Sequence, residues 1–195
     1  MTKDLKNIIW SDFGRVKLPK AYKLLCFDSD DLQILRATYA VMYPNYDAQL
    51  FDLGESYRRI GSVTIAGEKF GSKVECRTLR SARVMALWVD QGGHINTASQ
   101  HVRPGHVKFY FVHTVKIENT YLQHLFACVQ WCCKQEESRR PYKRPIEVWQ
   151  HKKYEQPGPA SFIPVQRIYC KFASASLKAD GTQITVTSPI LRTFC

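Results

Sequence analysis

The period of hydrophobic and polar positions changes near residue 56. Before it, Leu32, Leu35, Tyr39 and Met42 recur at helical spacing. Asp28, Ser29, Asp30 and Asp31 supply an N-cap oxygen and negative charge for a first turn, and Pro44 closes the run. The spacing therefore predicts one helix over about 30–42, preceded by a short strand within Tyr22–Phe27. From residue 56 onward the pattern is of short strands and turns. Ser62–Ala66 is β-rich, Gly67 and Gly71 bracket a turn, Lys73–Thr78 alternates, and Arg83–Val89 reads as a buried strand. Residues 90–106, with Gly92-Gly93 and Pro104-Gly105, read as a long polar connection, either a mobile loop or a seam between two parts.

The second half carries the clearest signal. Alternation places Val107, Phe109, Phe111, His113, Val115 and Ile117 on one face of a strand. Leu122–Cys133 is apolar on both faces, as in a central strand or a buried helix. Ile146–Trp149, Phe162–Phe172 and Thr182–Val186 are further strands, and Pro141, Pro145, Pro157, Pro159 and Pro164 interrupt them as in a β meander. The expectation is a mainly β chain with minor α content: an antiparallel β-barrel or meander with one N-terminal helix. It forms a single compact domain over 1–195, or divides into an N-terminal β/helical part (1–90) and a second part (107–195) linked by 91–106.

Composition sharpens this picture. A chain that is 45% hydrophobic can bury a core. Its apolar runs are too short to span a bilayer and its N-terminus lacks a signal-peptide pattern, so the reading is an intracellular protein that does not act at a membrane. Seven cysteines at irregular spacing suit reduced thiols in apolar segments better than a disulfide framework. The net charge is +11 and is unevenly spread. Residues 1–97 hold 14 Lys/Arg against 11 Asp/Glu, whereas residues 98–195 hold 14 against 6. A basic surface concentrates polyanions, which points to nucleic acid or an acidic protein as partner.

A partial family resemblance runs through residues 107–172. Phe126-Ala127-Cys128-Val129-Gln130-Trp131 leads into Cys132-Cys133-Lys134-Gln135-Glu136-Glu137, then Ile146-Glu147-Val148-Trp149, and later Pro164 through Ile168 to Lys171-Phe172. The order and spacing resemble the later part of a BAH (bromo-adjacent homology) domain, with its V-x-V-x-W-F strand, R-P-E-E turn, E-V-F strand and P-x-x-x-I-x-G-K-C segment. Lys134-Gln135 stand where that pattern has Arg-Pro, and Cys170 where it has glycine. Residues 159–168 also resemble uncharacterised C-terminal regions of transposon-derived proteins. The BAH resemblance implies a noncatalytic chromatin module of the nucleus that binds nucleosomes, histone tails or partner proteins.

Candidate chemistry concentrates in residues 134–153. Lys134, Arg139, Arg140, Lys143, Arg144, Lys152 and Lys153 are interleaved with Tyr142, Trp149 and Tyr154, a mixture suited to phosphate contact and base stacking. Lys134, Arg139, Arg140, Tyr142, Lys143, Arg144, Lys152 and Lys153 are the expected nucleic-acid contacts, and Trp131 with Trp149 could form an aromatic pocket for a cation. Arg77, Arg80 and Arg83 form a weaker basic cluster. His94, His101, His106 and His113, and the set His124, Cys128 and Cys132, lack the tight ligand pairs of a structural zinc site, so no metal or other cofactor is expected. No phosphate-cradling glycine loop, nucleophile elbow or H-E-x-x-H occurs. Binding is therefore favoured over catalysis. A scaffold with an acidic partner is the alternative, and a metal-dependent nuclease using Asp47, Asp52, Glu68 and Glu75 ranks below it.

Overall fold

The structure is a computed structural model that describes residues 16–75, 79–90, 92–135, 146–179 and 181–190. Its strands are β1 (Lys23–Cys26), β2 (Asp52–Leu53), β3 (Ser56–Ile60), β4 (Ser62–Ile65), β5 (Glu68–Gly71), β6 (Arg83–Ala86), β7 (Arg103–Ile117), β8 (Thr120–Lys134), β9 (Glu147–Tyr154), β10 (Phe162–Pro164), β11 (Ile168–Ala179) and β12 (Thr182–Ile190). The single α-helix among the described residues, α1, spans Ser29–Met42 between β1 and β2. The chain is mainly β, as its alternation predicts.

The hairpin of β7 and β8, two strands of 15 residues, organises the rest. Near its base, β7 pairs with β6 over Arg103–His106, and β6, β11, β12, β9 and β8 follow in turn until β8 pairs with β7 again. Six antiparallel strands thus close into a barrel. Towards its tip the hairpin leaves the barrel. There β7 takes β3 and β2 as partners, β8 takes β10, and β1 adds outside β3.

One extra residue makes this change of role possible. Val107 faces Val129 and Phe109 faces Cys128, so Lys108 is a bulge. Because strand faces alternate with a period of two, the bulge inverts the parity of everything beyond it. Val107 joins a core with Tyr110, Val112, Leu125 and Val129, while Phe109, Phe111, Val115 and Ile117 face the other way. The single face expected for Val107–Ile117 is therefore split at its first member.

Each face is covered by a local element. α1 begins where the Asp28 carboxylate accepts from the Asp31 amide at 2.8 Å, and Tyr43 caps its other end. Its buried Leu35 and Tyr39 pack onto Phe111 and Phe126 along with Phe27, Phe51, Tyr57 and Phe162. The opposite face is covered by the β4–β5 hairpin through Val63, Ile65 and Phe70. Ala66 and Gly67, both at positive φ (49° and 83°), form its tight turn. Gly71 ends β5 and pairs with Ser62.

Three expected elements differ. The strand expected over Phe162–Phe172 is broken into β10 and β11 by a 3-10 turn at Val165–Arg167. Lys73–Glu75 form a turn in place of the start of a strand. The connection expected over 90–106 ends early, because Arg103–His106 already belong to β7 and Pro104-Gly105 pair with Met85 and Val84. Gly105 is needed there. A Cβ on it would lie 2.5 Å from Val129 Cγ1 and 3.1 Å from the Gln130 carbonyl oxygen. Gly105→Ala is expected to lower stability by about 1–3 kcal/mol, measured by urea unfolding, because the hairpin backbone must shift.

Candidate functional site

The β8–β9 corner gathers part of the expected basic surface. Lys134, the last residue of β8, faces Trp149, and the next matched pair is Cys132 with Tyr154. Between these pairs a single β8 residue, Cys133, is opposed by four of β9, and the surplus bulges out at Lys152, whose φ is +52°. The bulge exposes Lys152 and Lys153, whereas Lys134 is half-buried and its carbonyl accepts from Gln150 Nε2 at 2.9 Å. None of the ion pairs among the described residues uses Lys134, Lys152 or Lys153. Arg139, Arg140, Tyr142, Lys143 and Arg144 lie outside the described residues, on the segment joining β8 to β9.

Trp131 and Trp149 converge on one cation, and that cation belongs to the chain itself. Both indoles are buried, with the Arg103 guanidinium 5.8 Å from the Trp131 ring centroid and 6.0 Å from that of Trp149. Arg103 also donates to the Cys132 carbonyl at 3.2 Å and forms an ion pair with Glu155. The Trp131 indole donates to the Ala160 carbonyl at 2.9 Å.

The arginine cluster is dispersed. Arg77 lies outside the described residues, Arg80 is exposed on a 3-10 turn over Leu79–Ala82, and Arg83 opens β6. Arg83 faces His106 across the β6–β7 pair. The His106 ring meets Tyr154 of β9 at 5.3 Å and Phe172 of β11 at 6.1 Å, and neither strand is a neighbour of β7 in the barrel. His106 therefore points into the barrel, and Arg83 shares its face. Burial, with Lys73 and Arg83 adjacent, pushes the His106 pKa down to about 4. Lys73 donates to Gln130 Oε1 at 2.8 Å and lies 4.9 Å from the centre of the Tyr154 ring. Sequence patterning placed His106 in a polar loop. Pro104-Gly105 looked like a turn, and one buried histidine carries no periodic signal.

A histidine pair sits under α1. His113 and His124 are cross-strand partners. His113 Nε2 donates to the Gly54 carbonyl at 2.7 Å, which leaves Nδ1 to accept from the Tyr39 hydroxyl at 2.9 Å. His124 Nε2 bonds the Tyr43 hydroxyl at 2.8 Å. Burial lowers both imidazoles, His124 to about 4.

Several of the remaining candidates are engaged locally. Asp28 caps α1, Asp47 accepts from the Gln49 amide, and Glu68 pairs with Lys171 at 3.0 Å. Burial pushes the Cys128 and Cys132 thiols up to about 12, the reverse of what activates a nucleophile. Among the described residues no three His, Cys, Asp or Glu side chains come together as metal ligands, and no helix is long and apolar enough to cross a membrane.

No protein-family model matches the chain, and neither a curated protein nor a solved structure matches it significantly.

Proposed function

We propose that the chain is a noncatalytic module that binds nucleic acid through the β8–β9 corner of its barrel. The observation that carries this reading is the trio Lys134, Lys152 and Lys153, which flank a segment bearing four more cations and have no carboxylate partner among the described residues. Phosphate contact needs cations that are free of internal ion pairs, and a bulge that turns two successive lysines outward provides it. Glu155, the carboxylate that follows the two lysines most closely, is taken up by Arg103. The resemblance to BAH domains points in the same direction, towards DNA in chromatin.

The test is a charge reversal. Combining Lys134→Glu, Lys152→Glu and Lys153→Glu is expected to weaken binding to duplex or single-stranded DNA by roughly 10–100-fold near physiological salt. The slope of log affinity against log salt should fall by about one per lysine removed from the interface. Urea unfolding of the protein carrying only Lys152→Glu and Lys153→Glu should be nearly unchanged, since both side chains are exposed, and that pair should already lose most of the binding. Equal binding and equal slope in both proteins would remove this surface. Capture of an acidic protein that survives nuclease, with no DNA shift, would reassign the corner to a protein partner.

A further inference from the structure

The interior of the barrel contains polar atoms that the protein itself does not satisfy. Among the described residues, Arg83 Nε, His106 Nδ1, Trp149 Nε1 and Thr187 Oγ1 are buried without a hydrogen-bond partner. Two further such atoms, Trp88 Nε1 and Gln166 Oε1, belong to other parts of the molecule. Roughly nine in ten buried polar groups are paired, so four orphans on one lining are a concentration that calls for a partner.

The register shows that the four share that lining. Arg83 stands opposite His106, whose ring reaches Tyr154 and Phe172 across the barrel. On β12, Thr187 faces Ser174 of β11, two residues along from Phe172 and so on the same face. Trp149 faces Thr185, again two residues from Thr187. The lining therefore runs from Arg83 and His106, past Phe172, to Thr187 and Trp149. His106, Trp149 and Thr187 are each more than nine-tenths buried.

The chemistry of the orphans selects the ligand class. Arg83 Nε and Trp149 Nε1 can only donate, Thr187 can donate, and a neutral imidazole donates from Nδ1 in one tautomer. Positive charge adds to this through Arg83 and the nearby Lys73. Of the carboxylates at the rim, Glu155 is engaged by Arg103, and Glu147, the register partner of Thr187, is only half-buried at the start of β9. We propose that the barrel interior between Arg83, His106, Trp149 and Thr187 is a binding site for a small oxyanion of the phosphate or carboxylate class. The claim rests on the barrel lining, which Lys134 borders as the register partner of Trp149, whereas Lys152 and Lys153 stand exposed on the β9 bulge.

Inorganic phosphate and acetate are the probes, compared with chloride at equal ionic strength by thermal unfolding of the whole chain. At about twenty times a millimolar dissociation constant, the preferred anion should raise the midpoint by roughly 3–7 °C. A response to phosphate alone assigns the phosphate class, and a response to acetate assigns the carboxylate class. Thr187→Val keeps the shape of the side chain and removes one donor, and should cut the shift by more than half. Arg83→Met should abolish it. The Lys152→Glu, Lys153→Glu protein should keep the full shift, which separates this site from the nucleic-acid surface. Equal midpoints in all three salts overturn the proposal, as does a shift that survives Thr187→Val undiminished or disappears with the two surface lysines.

Discussion

Phe111→Ala should lower the unfolding free energy by about 4 kcal/mol, the largest loss expected from any single truncation under α1. Phe111 is fully buried between β3, β8, β10 and the segment that precedes α1. Its ring centroid lies 5.0 Å from Phe162 of β10, 5.2 Å from Phe126 of β8, 5.4 Å from Phe27 ahead of α1 and 5.6 Å from Tyr57 of β3. Removing the ring forfeits its transfer free energy and these aromatic contacts, each of which adds about 0.5–1.5 kcal/mol. The neighbours are anchored on different strands and cannot collapse into the space together. Against a typical total of about 5–15 kcal/mol, that loss is a large fraction. The urea midpoint should fall with an unchanged slope, and the thermal midpoint should drop by roughly 8–16 °C. Phe111→Leu, which refills most of the volume, should cost less than half as much. A loss under about 1 kcal/mol for the alanine variant would show that α1 does not close this core.

The same residue shows what patterning can and cannot reveal. Alternation from Phe109 to Ile117 correctly puts Phe111, Val115 and Ile117 on one buried face, because a two-residue period is enforced along any regular strand. It fails at Val107, since a bulge depends on which residue of β8 lies opposite, and that information is not local. The helix was legible for a local reason: Asp28 caps it and Pro44 follows it within a short stretch. Pro104-Gly105 misled because a turn signal and a close approach favour the same residues. Here Gly105 makes room for Val129 and Trp131, and Pro104 sits at the base of the barrel hairpin.

The candidate site was legible only in outline. A run of Lys and Arg marks the β8–β9 segment whatever its fold, so Lys134, Lys152 and Lys153 could be named from composition. The fate of Trp131 and Trp149 could not. Both rings are committed to Arg103, which lies 28 residues before Trp131 in the chain: the β7–β8 hairpin sets it beside Trp131, and the barrel brings Trp149 of β9 to it. The polar lining was invisible for the same reason. Arg83, His106, Trp149 and Thr187 come from four strands, and nothing in their spacing announces a common interior. Ring closure, not sequence proximity, makes them neighbours.

Acid should destabilise the fold well above the pH at which carboxylates titrate. His106 and His124 are each pushed down to about 4 by burial, and His113 is lowered as well. In the unfolded chain an imidazole titrates near 6.5. Between these values the unfolded state binds protons that the folded state excludes, so stability is fully present above about pH 6.5 and is lost as the pH falls towards 4. Each histidine contributes up to about 3 kcal/mol, and a discount for the half-buried His124 leaves roughly 4–5 kcal/mol for the two together. Asp31 works in the opposite direction, because burial raises its carboxyl and the folded state gains a proton there as the pH falls. One partly exposed carboxyl offsets only a part of the loss. For His113 the geometry adds a further penalty. A protonated ring would present two donors, and Tyr39, now donating to Nδ1, would have to turn its hydroxyl away. Urea unfolding at successive pH values should therefore show stability falling by about 2–3 kcal/mol per pH unit at its steepest, between pH 6 and 4.5. His106→Phe keeps an aromatic ring against Tyr154 and Phe172 while deleting one titrating group, and should reduce that slope by about 1.4 kcal/mol per unit. Stability that stays level from pH 7 to 4.5 would mean that these imidazoles already reach water in the native state, and that the barrel interior is not closed.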